Sequence, residues 1–347
     1  MMSSQRVLRI GLVGLGRIGK KHGQTLAWET RHCQLVAACS PIESEQDYAI
    51  NELGLDSYYD NYQKLLNDKK VEAVVLATPT NLHAEQTIMA LQSGKHVFVE
   101  KPLALNLQDC LRVEAVAKNH PQLVAMVGFV RRFDPSYREA KLMIEQGQIG
   151  SPYLIRSQTC DLYDPTGFFV NFAPTSGGIF MDCSVHDIDL ARWLMGVNRA
   201  RRVFATGLTA IHHELMHYKD VDNGIAVIEF EGDGLGNEAR AVITASRTWQ
   251  IGHETSSEVI GTGGKLLIGA GAARDRVEIG DGSGIRKLAV SDFHQRFDQA
   301  FKIEIQAFVD ACLGLAPLSL SIEDATEATR IGLAITQSLH SGEPVSL

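Results

Sequence analysis

Twelve residues near the start of the chain limit its fold more than any other feature. Leu8-Arg-Ile-Gly-Leu-Val-Gly14-Leu-Gly16-Arg17-Ile18-Gly19 is an apolar run that ends in G-x-G-x-x-G and passes into helix-forming sequence. Glycine lets the backbone turn tightly between strand and helix and come close to a pyrophosphate. The charge of that group then sits on the free N–H groups at the positive end of the helix. Gly14 and Gly16, with Arg17 and Ile18 opening the helix, are therefore candidate dinucleotide-binding residues. A bare G-x-G-x-x-G also fits a turn that only packs helix on strand, so the surrounding sequence has to decide.

The following sequence continues the strand–helix pattern. Leu8–Val13, Leu35–Cys39, Ala73–Ala77, His96–Val99 and Val124–Val127 read as strands buried on both faces. Arg17–Thr30, Glu43–Leu53, Leu82–Ser93 and Leu107–Asn119 read as the helices between them, with Asn81 capping one start and Gly94 ending it. Such alternation predicts a doubly wound parallel sheet, because parallel neighbours need a crossover. After Gly128 the pattern changes. A helix near Pro135–Gln146 leads to a strand-like Pro152–Thr159, an irregular stretch to Gly178 and a helix over Asp182–Leu194. Five strand-like runs follow, and two helices (His294–Leu313 and Ile322–Leu339) close the chain. Consecutive strands predict an open, mostly antiparallel sheet. At 347 residues the chain exceeds one ordinary core. An α/β fold of two domains is expected, a dinucleotide-binding domain over 1–128 and a second α/β domain over 129–347.

Composition narrows the partners. The formal net charge is -8, against the basic surface that nucleic acid needs. No apolar run approaches the ~20 residues of a bilayer span, and the N-terminus lacks a signal-peptide pattern, so no membrane partner and a cytoplasmic location are expected. The six cysteines are scattered without a C-x-x-C pair and read as reduced thiols. His212, His213 and His217 lie in a polar segment without a metal-ligand partner set, so no metal is expected and surface histidines are.

Two further segments carry chemistry. His96-Val-Phe-Val-Glu100-Lys101-Pro102 ends the fourth of these strands at the carboxyl edge of the sheet, where open α/β folds bind ligands. A lysine fixed there by proline can bring its ammonium to a nicotinamide and a substrate oxygen; alone it would read as a surface residue. The second segment is Gly177–Trp193. On one continuous helix, steps of four and seven residues place Asp182, His186, Asp189 and Trp193 in one stripe. Imidazole has a pKa suited to taking an alcohol proton near neutrality, and a carboxylate one turn away can orient it. A solvated helix face is the plain alternative, and the adjoining dinucleotide fold favours function. That fold also asks for a carboxylate about 20 residues after the glycines, to bind the adenosine ribose. Ser40 stands there instead. It neither chelates the diol nor repels a 2′-phosphate, which Arg17 could reach. NAD or NADP is expected, with a lean to NADP, against which stand Glu43 and Glu45.

The chain resembles the glucose–fructose oxidoreductase/inositol dehydrogenase/MocA family over nearly its full length. The resemblance rests on GLGRIGKKH (14–22), ATPTNLHA (77–84), EKPLA (100–104), GFVRRFDPSY (128–137), GGIFMDCSVHDIDLARWL (177–194) and RFDQAFKIEIQAFVDAC (296–312). GFVRRFDPSY looks most like the inositol dehydrogenase branch. The resemblance implies an N-terminal Rossmann domain and a C-terminal domain whose sheet joins subunits into dimers or tetramers. It implies that Lys101 contacts nicotinamide and substrate, that His186 is the acid/base and that Asp182 supports it and binds substrate. Arg131, Asp161 and Asp189 become further substrate-binding candidates, and Thr78, Pro79, Asn81, His83 and Glu100 border the nicotinamide. The implied activity is oxidation of a secondary hydroxyl of a cyclic polyol or sugar by hydride transfer to nicotinamide. Aldose oxidation at C1 and keto-sugar reduction use the same residues. Some members of the fold instead sense a dinucleotide without chemistry, and retention of Lys101, Asp182 and His186 argues for an enzyme.

Overall fold

Val, Leu, Ile and Ala runs shielded from water on both faces build the first sheet. The computed structural model describes residues 6–197, 199–232, 238–269, 271 and 273–347. The chain divides into two compact units. The first runs to Val130 and takes in Gln299–Thr326; the second comprises Arg131–Asp298 and Glu327–Leu347.

In the first unit β1 (Leu8–Val13), β2 (Cys33–Cys39), β3 (Tyr58–Tyr59), β4 (Ala73–Leu76), β5 (His96–Glu100) and β6 (Ala125–Gly128) form a parallel sheet in the order β3-β2-β1-β4-β5-β6. The order reverses between β1 and β4, and ligands of open α/β sheets bind beyond the carboxyl ends at such a point. The intervening helices are α1 (Arg17–Gln24), α2 (Glu43–Asp47), α3 (Tyr62–Leu66), α4 (Thr80–Gln92) and α5 (Leu107–Lys118). The first two are shorter than their sequence patterns. Thr25–Glu29 and Tyr48–Glu52 widen into π-helical turns, with Leu53 N–H reaching back five residues to Tyr48 and the Thr30 hydroxyl doing the same to Thr25. Asn81 caps nothing. Helix α4 begins at Thr80 behind Pro79, whose ring presets the entry dihedral, and Gly94 in the left-handed region follows its end.

The second unit opens with α6 (Pro135–Glu145), whose cap is Asp134: its Oδ1 accepts the Ser136 and Tyr137 N–H groups. Then come β7 (Pro152–Leu162), α7 (Phe168–Ser176), α8 (Ile179–Asp182), α9 (Val185–Met195), β8 (Ala200–Leu208), β9 (Asn223–Phe230), β10 (Arg240–Trp249), β11 (Glu254–Gly261) and β12 (Gly264–Ile268). An exposed hairpin, β13 (Ala273–Asp281) and β14 (Gly284–Ala289), and the terminal β15 (Val345–Ser346) complete the strands. The large sheet has the order β12-β11-β7-β10-β9-β8-β15 and is antiparallel except where β10 pairs β7. Helix α9 lies against β7 and β10, and strict alternation of burial along β11 marks a sheet with one covered face. Neither α7 nor the hairpin was foreseen in the sequence pattern. Among the described residues no helix is long and apolar enough to cross a membrane.

Helices α10 (Phe293–Arg296), α11 (Asp298–Cys312) and α12 (Ile322–Ser341) end the chain. The expected second domain, 129–347, is interrupted here because α11 belongs to the first unit. Its Phe308 ring packs 5.8 Å from Phe98 of β5, and Phe301 lies 5.8 Å from His22 of α1. Those apolar contacts outweigh sequence proximity to the second sheet.

The glycine turn sets the distance between β1 and α1. A Cβ built on Gly19 would lie 1.9 Å from the Gly14 carbonyl oxygen, whereas one on Gly16 meets nothing within 4 Å. Gly19→Ala should therefore lower the unfolding free energy in urea by roughly 1–3 kcal/mol, as overpacking does, and Gly16→Ala should stay within about 0.5 kcal/mol of the parent. Equal losses for the two variants would contradict this division.

Candidate active site

In the first unit, the three glycines do different things. Gly14, at φ +84°, faces the Ala77 carbonyl oxygen so closely that its own Cβ would sit 2.6 Å from it. Gly19 seats the helix on the turn. Gly16 leaves an open cradle in front of α1, which has no side-chain cap to occupy its first N–H groups. That is the arrangement a pyrophosphate needs, so these residues fit a dinucleotide. Arg17 is exposed and Ile18 half-buried at the same mouth.

The ends of β4 and β5 are braced from behind. His83 is buried with one ring nitrogen 2.8 Å from the Thr78 carbonyl oxygen and the other 2.8 Å from that of Pro102. Burial holds its pKa below the usual value. It therefore ties the Thr78 loop to the turn after Lys101 rather than presenting a nitrogen to a nicotinamide. Glu100 likewise turns inward. Its Oε1 lies 2.6 Å from His22 Nε2, and its Oε2 accepts the Lys101 N–H at 3.3 Å. Both residues were expected to border the cofactor, and both instead brace the ends of β4 and β5. Thr78 donates to Gln86, while Pro79 and Asn81 are exposed at the start of α4. Lys101 is half-buried beyond β5, before a cis peptide to Pro102.

In the second unit a line of charges surrounds the D-x-x-x-H segment. Asp182 ends α8 and His186 lies in the first turn of α9, so the single helix expected over Asp182–Leu194 is two. The N–H groups of both Cys183 and Ser184 turn back to the Ile179 carbonyl before α9 starts. Arg247, wholly buried, sends Nη1 to Asp220 at 2.8 Å and Nη2 to Asp182 at 3.3 Å. Asp220 in turn accepts the Ile179 N–H at 2.9 Å, fixing the start of α8. Asp161 of β7 faces His253 Nδ1 at 3.0 Å and the Cys183 thiol at 3.5 Å. Burial alone would raise the Asp161 carboxyl, but the hydrogen bond and charge of His253, with Cys183 and Arg247, outweigh it and hold it below the usual range. Asp161 thus stays ionised, and both Asp161 and Asp182 are partly open to solvent, at 23% and 20% side-chain exposure. A pair of fixed acceptors suits a ligand rich in hydroxyls.

Two expected substrate residues lie elsewhere. Arg131 is buried in a structural pair with Asp187 at 3.0 Å and donates to Thr159. Asp189 receives a two-pronged bond from Arg132 at 2.6 and 2.7 Å. Helical steps of three and four cannot distinguish a carboxylate facing a ligand from one facing a buried arginine. His212, expected at the surface, is buried and stacked on Tyr163 at 5.6 Å; His213 and His217 are exposed. Arg247, Asp220 and His253 were missed. The signal available was an arginine within the alternating end of β10, in the 247–256 segment. Among the described residues no cluster of His, Cys, Asp and Glu could hold a metal ion.

Comparison with known proteins follows the same two parts. The oxidoreductase family with an NAD-binding Rossmann fold, GFO/IDH/MocA, matches residues 8–129, and the GFO/IDH/MocA C-terminal domain matches 137–267. The scyllo-inositol 2-dehydrogenase (NAD(+)) of Bacillus subtilis is 35% identical over 341 residues, covering 98% of this chain and 96% of that protein. The myo-inositol 2-dehydrogenase of Thermotoga maritima is 32% identical over 98% of both. The crystal structure of scyllo-inositol dehydrogenase from Lactobacillus casei with bound NAD(H) and scyllo-inositol matches with a TM-score of 0.93 and 34% identity, over 98% of this chain and 99% of that one.

One buried group close to Glu100 is open to a stability test. Glu304 of α11 has no solvent exposure, and neither of its oxygens has a hydrogen-bond partner. Burial, and then the charge of Glu100, raise its pKa well above the usual value. The folded state therefore keeps a proton that the unfolded chain releases above about pH 4.3. Stability is full below that value and falls as pH rises toward the folded pKa, by up to about 1.4 kcal/mol per pH unit. Glu304→Gln removes the titration. Thermal unfolding between pH 5 and 8 should show the parent losing Tm relative to the variant, and parallel curves would contradict a neutral Glu304.

Proposed function

The chain belongs to the GFO/IDH/MocA oxidoreductase family, and from that membership we propose that it is an NAD-dependent dehydrogenase oxidising a secondary ring hydroxyl of an inositol. The observation carrying this proposal is the full-length likeness to an enzyme holding NAD(H) and scyllo-inositol, joined to a substrate side built from carboxylate acceptors held by Arg247 and His253. A polyol is neutral and offers a donor at every carbon, so carboxylates held by Arg247 and His253 can bind it without adding net charge to a buried site.

Bound nicotinamide supplies the hydride acceptor. The protein's own residues hold the alcohol and manage its proton. His186 takes the hydroxyl proton as general base, and Asp182, fixed by Arg247, binds a hydroxyl and favours the protonated imidazole. Asp161, fixed by His253, binds another hydroxyl. The Lys101 ammonium favours the developing alkoxide. The exposed apolar side chains Phe204 and Val227, paired across β8 and β9, with Ile225 and Leu208 beside them, support the expected homo-oligomer.

The test is NAD⁺ reduction with scyllo-inositol, myo-inositol and common aldoses as alternative substrates. Turnover with an inositol and little with aldoses is expected; no turnover with any polyol, sugar or keto-sugar would leave a dinucleotide sensor instead. His186→Ala should cut kcat by about two to four orders of magnitude, given the usual weight of a general base, while NADH affinity measured by fluorescence stays unchanged. Near-normal turnover would remove His186 from the reaction.

A further inference from the structure

We propose that Glu45, at the start of α2, provides the ribose-binding carboxylate that the end of β2 lacks, and so makes NAD the preferred dinucleotide over NADP. The inference rests on the dehydrogenase function proposed above and names the residue that selects its cofactor. Dinucleotide folds of this kind place an acid where the adenosine ribose lies, to receive its two hydroxyls. Ser40 occupies that place in sequence but is turned away from the task. It is 3% exposed, its Oγ accepts the Ile42 N–H at 3.2 Å, and its carbonyl accepts the Tyr58 hydroxyl at 2.6 Å. A hydroxyl folded into its own turn neither chelates a diol nor receives a 2′-phosphate.

Glu45 reaches the site from the other side of that turn. Its Oε2 accepts the Leu15 N–H at 3.1 Å, and Leu15 lies between Gly14 and the open cradle at Gly16. The carboxylate is thereby held against the glycine turn, half-buried while its neighbours Glu43, Ser44, Gln46 and Asp47 are exposed. One oxygen is anchored by the backbone, and the second, Oε1, can accept from a ribose hydroxyl. The same placement rejects NADP. A 2′-phosphate carries nearly two negative charges and would meet Glu45 at contact, with Glu43 and Asp47 close by in a segment, 41–47, that contains no lysine or arginine. Arg17, at the helix mouth, would favour a phosphate but faces three carboxylates, and of the lysines further along α1, Lys20 lies over the Tyr48 ring at 4.8 Å.

The test is fluorescence titration of the full-length protein with NADH and with NADPH, using the parent, Glu45→Gln, and Glu45→Gln combined with Ser40→Asp. The parent should bind NADH at least tenfold more tightly than NADPH. Glu45→Gln should weaken NADH by roughly tenfold, the worth of a charge-assisted hydrogen bond, and leave NADPH unchanged or tighter, closing the gap. Ser40→Asp in that background should restore part of the NADH affinity. A parent that prefers NADPH, or a Glu45→Gln variant with an unaltered NADH/NADPH ratio and normal thermal unfolding, would overturn the role of Glu45. Binding of neither dinucleotide would overturn the dehydrogenase assignment as well.

Discussion

The first unit depends on how closely a helix can approach a strand. Gly14 and Gly19 have no room for a side chain, and the carbonyls of Ala77 and Gly14 fill the space where a Cβ would stand. That approach turns the first N–H groups of α1 toward the open side of Gly16. It also fixes α1 so that His22, two turns on, meets Glu100 at the end of β5. The dinucleotide cradle and the main chain of Lys101 are thus held by one helix. Phe301 and Phe308 of α11 complete the packing behind it, which is why a distant segment of the chain returns to this unit.

The second unit solves a different problem, the burial of many charges. Arg131–Asp187, Arg132–Asp189 and Arg247–Asp220 are ion pairs with little or no exposure. Removing one partner of such a pair strands the other in a low-dielectric interior, at a cost of several kcal/mol. Their value here lies in geometry. Arg131 and Asp187 lock α9 to β7 through Thr159 and Ser157. Arg247 spans Asp220 and Asp182, so the Asp182 carboxylate is set by the end of β10. The carboxylates of Asp161 and Asp182 are thereby already oriented.

Much of this was legible from residues alone. Apolar runs located β1, β2, β4, β5 and β6 because a strand covered on both faces has no polar positions, and G-x-G-x-x-G located the turn because only glycine fits at its first and last positions. The boundaries of the helices were less legible. The π-helical turns after Gln24 and Asp47 depend on single hydrogen bonds that leave no mark on periodicity, and α7 lay in a segment that reads as irregular. In the site, Arg131 and Asp189 were expected at the substrate and are instead held in buried ion pairs, whose partners are 56 and 57 residues away in sequence. Arg247, His253 and Glu45 act across such separations as well. No local pattern joins them to the residues they hold.

The proposed reaction is direct transfer of hydride from a ring carbon of the polyol to nicotinamide, with the proton leaving separately through His186. The decisive measurement uses scyllo-inositol deuterated at its ring carbons with NAD⁺ and follows the label by mass spectrometry of the nucleotide. The account predicts one deuterium per nicotinamide formed, on one face of C4, with none lost to water. Reduced nucleotide without deuterium, or label released to solvent, would contradict it.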